Sequence, residues 1–461
     1  MTKSYDIAVI GGGPGGYMSA LHAARFGKKV MLVEKDFLGG TCLNRGCIPS
    51  KTWLKNAEII EAIELSREWG IIQTDNITIS LDKMKKRKDE VISRLRNGVM
   101  FLLKQGKIDV YEAEGFVEEG NIVKVVSDKK EERVQTDKII VATGSSPSVP
   151  PIDGLDSASF YTSDTIFDIE KIPSSLTIIG GGVIGVELAT IFSSLKTNVT
   201  IIEMGGRIIP TEDADASKAL AKSLQKKGVQ ILTDAKVTSV KQNGDKTIVE
   251  CLNEKGESVS VEGEALLVSV GRKPNLSAVQ ALKLEQNGPF IKVNEKMETS
   301  YPNIYAVGDV IGGYQLAHAA YMEGIVAASN AAGCERKMDE KVVPRCIFTL
   351  PEVASVGLTE EEAERKGLQV KAERFDLAGN GKALVSGDTS GFIKIVYDEK
   401  YGEIIGVTMV GPHVTEMISE ASSFISLEGT VEELANMIHP HPTISESFFD
   451  VARNIIDKSK K

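Results

Sequence analysis

The chain has 461 residues, of which 42% are hydrophobic and 26% charged, and its formal net charge is −10. That length exceeds one ordinary core and implies roughly two to four domains. The acidic balance argues against general nucleic-acid binding, which needs a basic footprint, and no apolar run approaches the ~20 residues of a membrane helix.

The N-terminal residues 1–6 lack the charged and apolar regions of a signal peptide and lead directly into a strand. Five cysteines in so long a chain do not make a secreted disulfide scaffold. A reducing cytoplasm is therefore the expected compartment. There, a close cysteine pair reads as catalytic rather than structural.

The first strand, Tyr5-Asp6-Ile7-Ala8-Val9-Ile10, runs into Gly11-Gly12-Gly13-Pro14-Gly15-Gly16 and a helical stretch. A second strand, Met31-Leu32-Val33-Glu34, ends in an acid. Strand, G-x-G-x-x-G, helix and acid together form a dinucleotide-binding fingerprint. Gly11, Gly13 and Gly16 permit a tight turn and close approach of backbone to pyrophosphate. The helix opening at Pro14 offers free N–H groups and a positive dipole end. Glu34 is placed to accept hydrogen bonds from ribose hydroxyls.

Cys42 and Cys47 follow, separated by Leu43-Asn44-Arg45-Gly46. The thiolate is the reactive form of cysteine, and exchange passes through a mixed disulfide. This pair can close a small ring if the segment turns, at the head of a helix whose first turn accepts Pro49. A dithiol one βαβ unit after a dinucleotide fingerprint points to two-electron transfer between sulfur and nicotinamide. The competing reading is half of a metal site. No metal is expected, because Cys251, Cys334 and Cys346 are isolated and supply no second pair.

Ile139-Ile140-Val141-Ala142-Thr143-Gly144 is a strand entering a small-residue turn, and the Pro-rich stretch 147–151 after it reads as a boundary. A second fingerprint then appears. Leu176-Thr177-Ile178-Ile179 leads into Gly180-Gly181-Gly182-Val183-Ile184-Gly185, and Val199-Thr200-Ile201-Ile202 ends at Glu203. The acid stands at the same offset from the last motif glycine in both copies, Gly16 to Glu34 and Gly185 to Glu203. One such copy competes with a glycine-rich turn that binds nothing; two complete copies do not. Glu203 would repel a 2′-phosphate and has no adjacent arginine, so NAD is favoured over NADP. Arg207 is the nearest downstream arginine.

Leu266-Leu267-Val268-Ser269-Val270-Gly271-Arg272 repeats the strand-to-turn shape, and Lys273-Pro274-Asn275 marks another boundary. Ile304-Tyr305-Ala306-Val307-Gly308-Asp309 is a further strand ending in glycine and an acid. From about residue 344 the pattern changes to strands at 392–396 and 404–410 and helices at 360–366 and 416–427. This reads as a separate α+β domain. It contains His441-Pro442-Thr443-Ile444-Ser445-Glu446. Imidazole, with a pKa near ~6.5, suits removal of a proton from an incoming dithiol. Taken alone, His441 competes with a buried structural histidine. His439 reads as structural or supporting, and His22, His318 and His413 show no comparable setting.

Gly11 to Gly16, Cys42 to Lys51, Gly180 to Glu187, Gly308-Asp309 and His441 to Glu446 together resemble the disulfide-containing flavoprotein reductases, over essentially the whole chain. The resemblance implies an α/β architecture with two Rossmann-like dinucleotide-binding domains and a C-terminal α+β dimerisation domain. The expected division is an FAD domain at 1–147, an NAD domain at 148–274, a central domain completing the flavin site at 275–344 and the dimerisation domain at 345–461. It implies that Cys42 meets substrate and Cys47 stacks on the flavin. It implies that His441, oriented by Glu446, reaches the disulfide of the opposite subunit, so the active unit is a homodimer. Lys51 is expected near flavin N5, paired with Glu187, and Asp309 on the ribityl chain. Gly115, Thr143, Gly144 and Ala317 are expected on the FAD side, and Val237 and Gly271 on the NAD side.

Within that family the motifs resemble members that oxidise a dihydrolipoyl group, borne on a carrier protein of a multienzyme complex, and reduce NAD+. No lipoyl domain precedes the first strand, so the carrier is expected to be a separate protein. Glutathione-type reductases favour NADP, which Glu203 argues against. Mercuric reductases usually carry a C-terminal cysteine pair, and the ending Asp457-Lys458-Ser459-Lys460-Lys461 has none. A non-catalytic flavin-binding protein remains the competitor from another class, although folding does not require Cys42, Cys47, His441 and Glu446 together.

Overall fold

The computed structural model describes residues 4–72, 77–128, 130–339 and 341–459. Residues 1–3 and 460–461, quoted above for the two chain ends, lie outside the described residues.

The first sheet has seven strands. Its parallel part runs Asp109–Glu112, Val30–Glu34, Ser4–Ile10, Lys130–Val141. Ile304–Ala306 also pairs parallel with Lys130–Val141, so a segment far along the chain completes this sheet. An antiparallel extension, Ile122–Ser127 and Glu114–Glu118, lies beyond it. Ile7, Ala8, Val9 and Ile10 are all buried, as a parallel strand covered on both faces requires. Helix Pro14–Arg25 and helix Ala317–Ala331 pack against each other on this sheet.

A second parallel sheet has the order Gln230–Leu232, Asn198–Ile202, Ser175–Ile179, Ala265–Val268. An antiparallel ladder of Lys236–Asn243, Lys246–Leu252 and Ser258–Gly263 accompanies it. Two short strands, Ser145–Pro147 and Arg272–Pro274, pair antiparallel where the chain enters and leaves this region.

The C-terminal part is a five-stranded antiparallel sheet ordered Arg345–Ile347, Glu352–Gly357, Ile404–Gly411, Phe392–Asp398, Val370–Asp376. Helices Val414–Ser426 and Glu446–Ser459 supply apolar residues to one of its faces. Successive residues of strand Phe392–Asp398 serve two different cores. Ile393 and Ile395 join the helices, whereas Phe392 joins the core of the second parallel sheet. Both faces of the sheet are therefore buried here, Lys394 included, and a simple buried–exposed alternation does not develop.

The cysteine-bearing helix, Cys47–Leu65, is keyed into this arrangement by Trp53. Its side chain is fully buried between Phe167 and Phe192, with ring centroids 5.2 and 6.3 Å away. Among the described residues its indole N–H has no partner. Packing rather than hydrogen bonding thus couples the cysteine segment to the second parallel sheet. Trp53→Ala is expected to destabilise the protein by about 3–5 kcal/mol. Trp53→Phe should do less harm, because it also removes an unsatisfied buried N–H. Urea denaturation of both variants checks this, and a midpoint unchanged in Trp53→Ala would contradict the assigned role.

Candidate functional site

A cavity of about 1180 Å³ runs from the first fingerprint, past the cysteines, to the second. At the first fingerprint, Gly11 has φ +105°, and a Cβ there would lie 2.2 Å from the Ala142 carbonyl oxygen. Gly180 repeats this at φ +107°, 2.5 Å from Ser269 O. Gly16 and Gly185 do not line the cavity; an added Cβ would strike Gly11 O and Gly180 O at 1.8 and 2.1 Å. They serve close helix–strand packing. Gly13 and Gly182 have room above them and do face the cavity, which is the space a pyrophosphate requires.

Glu34 and Glu203 are held in the same way. Glu34 accepts the Gly12 N–H at 2.6 Å and the Asp36 N–H at 2.8 Å. Glu203 accepts the Gly181 N–H at 2.6 Å and the Gly205 N–H at 2.7 Å. Each carboxylate is oriented before any ribose arrives, and each oxygen keeps a lone pair for a hydroxyl. Gly115, Thr143, Gly144 and Ala317 line the cavity on the first-fingerprint side, and Val183, Val237 and Gly271 on the second. The residues present therefore fit two dinucleotides.

Cys42 lies on a short helix, Gly40–Asn44, and Cys47 opens the next, Cys47–Leu65. Gly39 and Gly40, at φ +93° and +55°, turn the chain into the first of these. Asn44 staples the turn by donating to Gly40 O at 2.8 Å and Leu38 O at 3.1 Å. Arg96 in turn donates to Asn44 Oδ1 at 2.6 Å and lies over the Phe37 ring. Both cysteines are free thiols, and the Cys42 thiol donates to Cys47. That bond, together with burial, pushes the Cys42 thiol up. The same bond, assisted by the Lys51 charge and outweighing burial, brings Cys47 down to about 7. Cys47 is thereby favoured as the thiolate of the pair.

Lys51 Nζ donates to both Glu187 oxygens at 2.9 Å and sits over the Phe348 ring. Glu187 is buried and also accepts the Phe348 N–H at 2.9 Å. Asp309 accepts from Ser145 Oγ at 2.5 Å. Arg272 is a residue the sequence reading passed over as the tail of a strand. It donates to Ser145 Oγ at 2.7 Å and Ser145 O at 2.8 Å, and lies 3.7 Å from Asp309. An arginine emerging from an apolar strand into a small-residue turn was the available signal. Glu323 was also missed; it accepts the Gly308 N–H at 2.6 Å and holds the turn before Asp309.

His441 and Glu446 are brought together but stand outside this cavity. His441 Nδ1 lies 2.8 Å from Glu446 Oε1. Glu446 also accepts the Thr443 N–H, and these two bonds, the backbone one first, hold its carboxyl below the usual range. The His441 side chain is 79% exposed, leaving Nε2 available to a group outside this chain. His439, by contrast, is buried against Glu420 at 2.8 Å. Among the described residues no group of three or more His, Cys, Asp or Glu could hold a metal ion, and no helix is long and apolar enough to cross a membrane.

In the reduced protein, the Cys47 thiolate should be present above about pH 7 and lost below it, since its pKa is lowered to about 7. The ultraviolet thiolate absorbance, taken as wild type minus Cys47→Ser, measures this midpoint. In Cys42→Ala the midpoint should rise toward the ordinary thiol value, because the main stabilising donor is gone. An unmoved midpoint would contradict the assigned hydrogen bond.

Comparison with known proteins agrees with this geometry. Residues 5–324 match the pyridine nucleotide-disulphide oxidoreductase model, and residues 343–452 match the dimerisation domain of the same family. A dihydrolipoyl dehydrogenase of Bacillus subtilis (strain 168) is 42% identical, covering 98% of both chains. One from Geobacillus stearothermophilus is 38% identical, covering 97% of this chain and 95% of its own. Among solved structures, LpdA from Mycobacterium tuberculosis superposes with a TM-score of 0.90 at 27% identity, covering 97% of this chain and 99% of its own. The HOCl-induced flavoprotein disulfide reductase RclA from Escherichia coli, solved as a Cu(II) complex, gives 0.87 at 28% identity, covering 98% and 100%. Relatives aligned end to end, and two family models that follow one another along the chain, make this protein a member of the pyridine nucleotide-disulphide oxidoreductase family, enzymes that use FAD and NAD.

Proposed function

We propose that the chain is a dihydrolipoyl dehydrogenase acting on the lipoyl group of a carrier protein, with NAD+ as final acceptor. The observation that carries this reading is the position of Cys42, Cys47, Lys51 and Glu187 in one cavity between two dinucleotide cradles. We assign residues 1–147 to FAD, 148–274 to NAD, 275–344 to the central domain and 345–461 to dimerisation.

Gly11, Gly13, the helix start at Pro14, Glu34, Gly115, Thr143, Gly144, Asp309 and Ala317 would hold FAD. Gly180, Gly182, Val183, Glu203, Val237 and Gly271 would hold NAD, with Gly16 and Gly185 keeping each helix close to its strand. Bound FAD supplies a two-electron relay between a thiolate and nicotinamide. One thiolate of the dihydrolipoyl group bonds to Cys42 Sγ as the Cys42–Cys47 disulfide breaks, and Cys47 keeps the electron pair. The second thiol gives its proton to His441 and closes the lipoyl disulfide, expelling Cys42 as thiolate. Glu446 fixes the ring orientation and stabilises the imidazolium. Lys51 places a positive charge beside Cys47, and Glu187 keeps that charge in position. The net change is dihydrolipoamide and NAD+ to lipoamide, NADH and a proton.

His441 stands away from the cysteines of its own chain, and a dimerisation domain carries it. We infer a homodimer in which each histidine serves the other subunit's disulfide. A cytoplasmic location accords with the dithiol chemistry.

NADH formation by the FAD-loaded protein with dihydrolipoamide tests the reading. NAD+ should support turnover, NADP+ far less, and Cys42→Ser should abolish it. Bound FAD with no turnover would reject the dihydrolipoyl substrate. His441→Gln should lower turnover by about 10²–10⁴-fold, the usual worth of a general base, without loss of FAD. A smaller effect than this would remove His441 from the proton transfer.

A further inference from the structure

The loop that carries His441 is held by a buried side chain from a remote stretch of the C-terminal part. Asn380 is 2% exposed and lies between a single helical turn, Leu377–Gly379, and the short helix Gly381–Ser386. Its amide has two N–H groups and one carbonyl oxygen, and all three are engaged. The oxygen accepts the Ala383 N–H at 2.9 Å and so caps the short helix. The nitrogen donates to Thr443 O at 3.0 Å and to Ser447 Oγ at 3.1 Å. These two acceptors flank Glu446 along the chain. Leu377, Ala383 and Ile444 share one small apolar cluster, so the two stretches also meet through packing.

From Asn380 a continuous series of contacts reaches the imidazole. Asn380 holds the Thr443 carbonyl, the Thr443 N–H is accepted by Glu446 Oε2 at 2.8 Å, and Glu446 Oε1 lies 2.8 Å from His441 Nδ1. The Thr443 hydroxyl also donates to Pro440 O at 2.8 Å, which closes the turn on the His441 side. Thr443 is thus pinned at its N–H, its hydroxyl and its carbonyl. The His441 ring is 79% exposed and gains no orientation from burial. Its direction depends on Glu446, and the buried end of the series is Asn380. The Thr443 N–H is also the leading cause of the lowered Glu446 carboxyl, ahead of His441 and His439, and Glu446 in turn bears on Asp450 of the same helix.

We propose that Asn380 is a positioning residue for the acid–base pair. By holding Thr443 and Ser447 on either side of Glu446, it fixes the carboxylate and, through it, the direction in which His441 Nε2 is presented. This rests on the dihydrolipoyl reading above, in which His441 takes the proton of the second substrate thiol. An exposed imidazole that turned freely would meet that thiol correctly for only part of the time. A fixed one is aligned before the substrate arrives, so less of the ordering falls on the reaction itself. Asn380 does not line the nucleotide cavity. Its influence is therefore directed at the proton transfer and not at the flavin or nicotinamide.

Asn380→Ser keeps a good N-cap for the short helix and removes both long-reaching donors. With dihydrolipoamide and NAD+, kcat/KM for dihydrolipoamide should fall roughly tenfold. FAD content and the rate of flavin bleaching by NADH should stay within about twofold, because hydride transfer to the flavin does not need the base. In the His441→Gln background the same substitution should change kcat/KM by less than about twofold, since no base is left to position. Asn380→Asp keeps the size and the capping oxygen while replacing the donor. Should Asn380→Ser not yield FAD-loaded protein, Asn380→Asp is held to the same three outcomes. An unchanged kcat/KM with His441 intact would overturn the proposal. So would an equal slowing of flavin bleaching by NADH, or a further loss of about tenfold in the His441→Gln background, each of which marks a general structural role. Wild-type protein whose flavin is bleached by NADH yet never by dihydrolipoamide would instead reject the function itself, and this role with it.

Discussion

The ion pair between Lys51 and Glu187 is the contact around which the site is organised. Lys51 stands on the helix that Cys47 opens, and Glu187 on the helix of the second fingerprint. Taking two charges from water is costly unless further bonds satisfy them. Here the Phe348 N–H completes Glu187, and the Phe348 ring lies 4.4 Å beneath Lys51. Three separate stretches of chain, one of them leading into the C-terminal sheet, thus meet at one ion pair whose acid is buried and whose cation is half-buried. A shift of either helix would leave the buried Glu187 carboxylate without its cation, and a shift of the Phe348 segment would take away its backbone donor. The same cation adds to the Cys42 hydrogen bond in lowering the Cys47 thiol, so the interaction that fixes the architecture also supports negative charge at the cysteine pair.

The two nucleotide cradles repeat one local device. A strand ends, a glycine with positive φ turns the chain, and an acid on the next strand takes the N–H of a central motif glycine at 2.6 Å. The bond locks turn and acid together without help from the ligand. Such preorganisation reduces the ordering that binding must impose. Between the cradles, Arg272 ties Ser145 and Asp309 to the strand pair that joins the two halves. The polar floor of the cavity is therefore rigid where two substrates must be aligned.

The C-terminal sheet contributes differently. It buries one face against the second parallel sheet and the other against its own helices. Its acid–base pair is built locally, His441 bound to Glu446 and Glu446 to Thr443, and is presented outward rather than into the cavity. The domain that presents it matches the family's dimerisation model.

The fingerprints, the cysteine pair and the His441–Glu446 motif were legible in the residues because each depends on local geometry. A tight turn needs glycine, a helix start accepts Pro49, and an acid at a fixed offset falls at the next strand end. The pairing of Lys51 with Glu187 was legible only through family resemblance, since no local rule links positions so far apart. The role of Arg272 was signalled only by an arginine leaving an apolar strand at a small-residue turn, and that of Glu323 was not legible at all. Each depends on which segments pack together: Ile304–Ala306 joining the first sheet, the two short strands crossing, helix Ala317–Ala331 lying on helix Pro14–Arg25. Sequence alone thus determined the chemistry available, because reactive groups and backbone turns are properties of short stretches. Only the tertiary structure decided which groups face one another, because burial and contact are set by packing across the whole chain.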